Sequence, residues 1–182
     1  MGDYARLLEK VNDGIDRFAA EAIALSDDLA ATPEVSEQEF ESSRKHALFL
    51  QRAGFDVEIP FYGIPTAYRG RIDRGNNGRV ALLAEYDALP EIGHACGHNV
   101  HGAMSLLAGA GLASVMEEVG GDLWVTGTPA EETNGAKITM AAGGLFDEVD
   151  LALMIHSGAR NSYVRYRALA MDALEYHFKG RA

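Results

Sequence analysis

A single cysteine, Cys96, stands among 182 residues, so no internal disulfide can staple this chain and the fold must be held by its core. Positive charge is also scarce: 16 Lys and Arg face 27 Asp and Glu, the formal charge is −11, and no basic cluster interrupts the acidity. A polyphosphate backbone would be repelled, which excludes nucleic acid as a partner. No apolar run reaches the ~20 residues that cross a bilayer, which argues against a membrane partner. The opening Met1-Gly2-Asp3-Tyr4-Ala5-Arg6 lacks the basic and apolar regions of a secretory signal, and Arg6 sits where a myristoylation signal needs Ser or Thr. These absences, with the lone thiol, predict a cytoplasmic protein. Repeats, low-complexity tracts and Pro/Gly/Ser linkers are absent too, and the 47% hydrophobic content suits one domain with a sizeable core.

What is present reads as alternating helices and strands. Leu8, Val11, Ile15, Phe18, Ala22, Leu25 and Leu29 recur at steps of three and four, predicting one amphipathic helix from Asp3 to about Ala31 that stops at Thr32-Pro33. Ser36 and Glu39 have the spacing of a capping box for a second helix ending at Gly54. Phe55, Val57 and Ile59 alternate as a half-buried strand. Tyr68–Asp73 and Arg79–Ala84 flank Gly75-Asn76-Asn77-Gly78 as a hairpin would. Asn99 is placed to cap a helix running to about Val119, whose small residues let it lie close to the sheet. A strand at Asp122–Thr126, a short helix near Ala136–Ala142 and a strand at Asp150–Ile155 follow. The pattern predicts an α/β fold, a layered mixed sheet with helices on both faces and ligands at strand C-terminal ends. Strand-like alternation resumes from Tyr163 through Phe178 and then stops, as if the domain were incomplete at its C-terminus.

Chemistry concentrates in three places. His94-Ala-Cys-Gly-His-Asn-Val-His101 holds three of the six histidines and the only cysteine, and thiolate with imidazole is the donor set a borderline divalent ion prefers. Glu85 and Asp87, ending the strand before it, are acidic partners for such ligands. Next, Thr128-Pro-Ala-Glu-Glu132 follows another apolar strand, and adjacent carboxylates leaving a strand point in different directions, so one can ligate while the other faces water. Third, His156 emerges from the strand that ends at Ile155. The roles of His94 and His101 stay open between direct ligation and hydrogen bonding beside the site, and His46 and His177 read as packing or surface residues.

Taken jointly, Leu83-Ala-Glu-Tyr-Asp-Ala-Leu-Pro90, the His94–His101 cluster, Thr128–Glu132 and Ile155-His156 resemble the aminoacylase/carboxypeptidase amidohydrolases, peptidase family M20. Glu-Ile-Gly before the His-Ala-Cys-Gly-His-Asn run brings the likeness nearest the dipeptidase and aminobenzoyl-glutamate hydrolase branch, and Thr32-Pro33-Glu34-Val35-Ser36 resembles a further family segment. The resemblance implies a zinc-exopeptidase-like catalytic domain over residues 1–172, with 173–182 beginning a lid and dimerisation domain. It implies Cys96, His98, Glu132 and His156 as metal ligands, Glu131 as general base and Asp87 as the residue that orients a ligand. It also implies two divalent ions in a complete site, zinc or manganese with cobalt as a third choice, and a homodimer in the longer family members.

The function expected is therefore metal-dependent hydrolysis of the amide bond of a dipeptide or N-acyl amino acid by metal-activated water. Two other readings stand beside it: a non-catalytic metal-binding fragment of such an enzyme, and a cysteine hydrolase with Cys96 as nucleophile and His94 or His98 as base. The last leaves Glu131, Glu132 and His156 without a role.

Overall fold

The computed structural model describes residues 2–75, 77–158, 174 and 176–181. Helix α1 spans Gly2–Ala31, and every residue of its expected stripe except Leu8 is buried or half-buried. It lies along α3 (His98–Ala113) with almost no gap. A Cβ on Gly14 would stand 3.1 Å from Gly111 Cα, and one on Gly111 would stand 2.8 Å from Ile15 Cγ1, so glycines set this helix spacing.

Helix α2 spans Phe40–Arg52, but not through the expected capping box. Glu39 occupies the N-cap and makes no side-chain cap bond. The Glu34 carboxylate takes over, accepting from the amides of Glu41 (3.2 Å) and Ser42 (2.7 Å), while the Ser36 hydroxyl is drawn to Asp87 instead. Tertiary partners here outcompete the local motif.

Five strands form one mixed sheet in the order β1-β2-β4-β3-β5: β1 Asp56–Glu58, β2 Tyr68–Arg74, β3 Arg79–Ala84, β4 Gly121–Gly127 and β5 Leu151–Met154. The expected β2–β3 hairpin is absent. β4 lies between them, antiparallel to β2 (Ile72 opposite Leu123) and parallel to β3 (Leu82 opposite Val125). The Gly75–Gly78 segment is thus a connection between strands that never pair. The predicted helix from Asn99 to Val119 is broken into α3 and a one-turn α4, Met116–Val119. Its N-cap is Gly97 at φ 84°, and Asn99 instead donates to Ser26 O and Oγ. Helix α5 follows at Ala136–Ala142.

The main core joins α1, α2 and α3 to the sheet through Phe49, Leu50, Phe55, Tyr68, Leu82, Leu106, Leu123 and Val125. Each such large apolar side chain contributes about 1.5–3 kcal/mol on burial. Trp124 alternates with Leu123 and Val125 along β4 and so faces the other side of the sheet, with the guanidinium groups of Arg69 and Arg79 at 4.8 and 4.6 Å from its ring. Strand β5 is exposed along its whole length. The strand expected over 163–178 lies mostly outside the described residues, and Leu174 and residues 176–181 form none. Among the described residues no helix is long and apolar enough to cross a membrane.

His46, which the sequence suggests is a surface or packing residue, is fully buried, its Nδ1 paired with the Tyr68 hydroxyl at 2.9 Å and its ring edge-on to Tyr86. Burial first, and then the neighbouring charge of His94, lowers its pKa to about 3. An unfolded histidine titrates near ~6.5, so below that pH the unfolded chain binds a proton that the folded chain refuses. Stability is then whole above ~6.5 and falls as pH drops toward the folded value. Thermal midpoints of the wild type are expected to decline between about pH 7 and 5, and those of His46→Gln to decline less. Parallel curves for the two proteins would contradict this assignment.

Candidate metal and catalytic site

Three loops meet at the C-terminal ends of the parallel strands. After β3, Glu85 and Asp87 are almost wholly buried, at 1% exposure each. After β4, Ala130 adopts φ 58° and turns the chain so that Glu131 and Glu132 follow into the site. After β5 comes His156, whose side chain is 44% exposed. The first turn of α3 supplies His98 and His101. It sits tightly over the end of β3: a Cβ on Gly102 would lie 2.6 Å from the Glu85 carbonyl oxygen and 2.5 Å from His46 Cε1. Only glycine permits this approach.

Asp87 organises the centre. Its Oδ1 accepts from His98 Nδ1 at 3.0 Å, and its Oδ2 accepts from the Ser36 hydroxyl at 2.7 Å and the Glu132 amide at 3.0 Å. Burial opposes its ionisation, but these hydrogen bonds outweigh burial and hold the carboxyl at about 2. With its Nδ1–H committed to Asp87, His98 directs the Nε2 lone pair into the site, toward Glu85 (3.5 Å), Glu131 (3.6 Å) and Glu132 (3.9 Å). Burial would lower the pKa of His98, yet Asp87 and the surrounding carboxylates raise it. A histidine whose distal nitrogen is pinned by a carboxylate is the arrangement that presents imidazole to a metal ion.

The donor atoms form two groupings that share His98: Glu85, His98, His101 and His156, and His98, Glu131 and Glu132, each with its atoms within 4.8 Å of one another. Glu85 Oε2, His98 Nε2, His101 Nδ1 and Glu132 Oε1 are buried without hydrogen-bond partners. Converging buried carboxylate and imidazole atoms of this kind fit a divalent cation, which would offset the charge they bring together.

Of the residues expected from sequence, Asp87, His98, Glu131, Glu132 and His156 come together. Cys96 lies beside them and outside both groupings, its thiol bonded to the Glu132 carboxylate. That bond first, then burial and further carboxylate charge, pushes the thiol up to about 11. His94 is half-buried and also outside both groupings, its pKa lowered first by burial and then by His98. His101 accepts the Ser157 amide proton at Nε2 (2.8 Å), which leaves its own proton on Nδ1, facing Glu85 at 3.7 Å. Its Nδ1 makes no hydrogen bond at that distance, and His101 lies within one of the two donor groupings.

Two participants go beyond what the sequence indicates. Glu85, only an acidic neighbour on sequence grounds, stands at the centre of three imidazoles. Burial works against its charge, but His101 and Lys137 hold its carboxyl at about 2. Lys137, at the start of α5, bonds Glu85 Oε1. No local motif announces Lys137; the only signal is a charged residue in an otherwise small and apolar helix start.

Residues 81–169 match the family model for peptidase family M20/M25/M40. The chain is 31% identical to a mouse (Mus musculus) Xaa-Arg dipeptidase over 96% of its own length and 45% of that protein. A human (Homo sapiens) Xaa-Arg dipeptidase is 33% identical, over 91% of this chain and 44% of the relative. Among solved structures, a dinuclear metal-binding peptidase of the M20 family from Bacillus subtilis superposes with a TM-score of 0.65 at 27% identity, over 75% of this chain and 42% of the other. The chain thus spans less than half the length of these relatives.

Proposed function

The chain belongs to peptidase family M20/M25/M40, and from that premise we propose that it serves metal-dependent hydrolysis of an amide bond in a dipeptide or N-acyl amino acid. The observation that carries the proposal is His98: its Nδ1 is fixed by Asp87, and its free Nε2 looks into a cluster of three carboxylates. His98, Glu132 and His156 are the proposed ligands, with Cys96 beside them as a fourth whose thiol would give up its proton to a bound ion. The two donor groupings sharing His98 support a pair of divalent ions, as does the likeness to a dinuclear peptidase. Zinc suits the thiol, and manganese or cobalt suits the carboxylates and imidazoles. A bound ion supplies polarisation of the scissile carbonyl and acidification of water.

The remaining chemistry belongs to the side chains. Glu131, whose side chain is 37% exposed, is open to substrate and solvent and in our reading takes the proton from attacking water, then returns it to the leaving amine. Asp87 keeps His98 in one tautomer and, through the Glu132 amide, holds the second carboxylate in place. A nucleophilic role for Cys96 finds no support. An activated thiolate needs a depressed pKa, whereas the Cys96 thiol is raised by its acidic neighbours.

The exposure of His156 and of all four β5 residues favours a second reading, in which these residues bind metal without turning over substrate on their own. One experiment separates the two. Dialysed protein is titrated with zinc and manganese and assayed on a panel of Xaa-Arg dipeptides and N-acyl amino acids, with and without chelator. Metal uptake with chelator-sensitive hydrolysis supports the first reading, and uptake without hydrolysis the second. A protein that takes up neither ion contradicts both.

A further inference from the structure

Glu39 is 0% exposed and makes no ion pair among the described residues, an expensive place for a carboxyl group. Burial raises its pKa, which nearby backbone amides and Thr66 offset only in part, and its Oε2 is buried without a close hydrogen-bond partner. Nothing about helix α2 explains it. The first amides of that helix are met by Glu34, and the Glu39 side chain makes no cap bond to it. Instead Oε1 accepts the backbone N–H of Ala130 at 2.8 Å, across 91 residues of sequence. Ala130 sits at φ 58°, a conformation disfavoured for any residue with a Cβ, and its carbonyl closes the turn by accepting the Gly135 amide at 2.7 Å.

The neighbours of Glu39 do similar work. Ser36 donates to Asp87, the Ala88 amide donates to Glu34 O at 2.8 Å, and Asn134 donates to Glu37. Residues 34–39 therefore tie the Asp87 loop and the Glu131 loop to the same short segment.

We propose that Glu39 is a positioning residue: its carboxyl fixes the Ala130 amide and so holds Glu131 and Glu132 at the angle the site requires. This rests on the reading of Glu131 and Glu132 given above, and the test separates the two. Glu39→Gln keeps an acceptor oxygen in the same place, and Glu39→Met keeps the volume without the acceptor. Hydrogen exchange of the amides of residues 130–135 is followed together with manganese titration of the 182-residue chain.

Glu39→Met is expected to speed exchange in residues 130–135 by about tenfold, with α2 and the sheet unchanged, and to weaken manganese binding by about tenfold. Glu39→Gln is expected to stay within about threefold of wild type on both measures, since it retains the hydrogen bond. Unchanged exchange in Glu39→Met overturns the proposal. So does faster exchange spread over the whole chain, or equal loss in Glu39→Gln. Should Glu39→Met not fold, Glu39→Asp, one methylene short of the Ala130 amide, is read in its place. If the wild type binds no manganese, the reading of the metal site fails while the exchange measurement still decides the role of Glu39.

Discussion

His98→Ala is expected to weaken manganese or zinc binding by at least about a hundredfold, measured by titration calorimetry on metal-free protein. The size follows from position. His98 is the one residue common to both groupings of donor atoms among the described residues, and its Nε2 is buried and faces Glu85, Glu131 and Glu132. Its removal takes away a donor and also leaves three carboxylates facing one another without an imidazole between them. His94→Ala is the control: it lies in the same octapeptide but outside both groupings, and should change affinity little. Equal losses in the two variants would show that the octapeptide works as a fold element and that His98 has no special place in it.

Glu131→Gln is expected to reduce turnover by at least about a hundredfold while metal occupancy stays near that of wild type, because general acid–base catalysis is worth about 10²–10⁴ in rate. Glu132→Gln should lower both. The asymmetry comes from the turn at Ala130. The Glu132 amide is bound to Asp87 and its side chain is only 19% exposed, whereas the Glu131 side chain reaches outward at 37%. One carboxylate is held and the other is free to move a proton. The assay is hydrolysis of the best substrate from the dipeptide and N-acyl panel, beside elemental analysis of the same samples. More than about a tenth of wild-type activity in Glu131→Gln would place the base elsewhere.

Much of the candidate site is legible in the sequence alone, because its donor residues lie in short segments. Cys96, His98 and His101 crowd eight residues, and Glu131, Glu132 and His156 each end an apolar run. Strand pairing is not local, and there the expectation fails. Gly75-Asn76-Asn77-Gly78 has the composition of a hairpin turn, yet nothing in it encodes that residues 121–127 arrive later to separate its flanking strands. Ser36 and Glu39 fail in the same way: their spacing matches a helix cap, but Asp87 and Ala130 are better partners once the chain is folded. Lys137 and the central place of Glu85 are products of tertiary packing alone.

The insertion of β4 between β2 and β3 also has a kinetic consequence. β3 has no sheet partner among the residues made before it, so the loop bearing Asp87 cannot find its final place until β4, some forty residues later, has docked along both neighbours. Contacts that close such long loops form slowly, and the α1–α3 helix pairing spans a still longer stretch of sequence. The loops of the candidate site are therefore expected to become neighbours only once β4 has docked, and an ion that binds them should slow unfolding more than it speeds refolding.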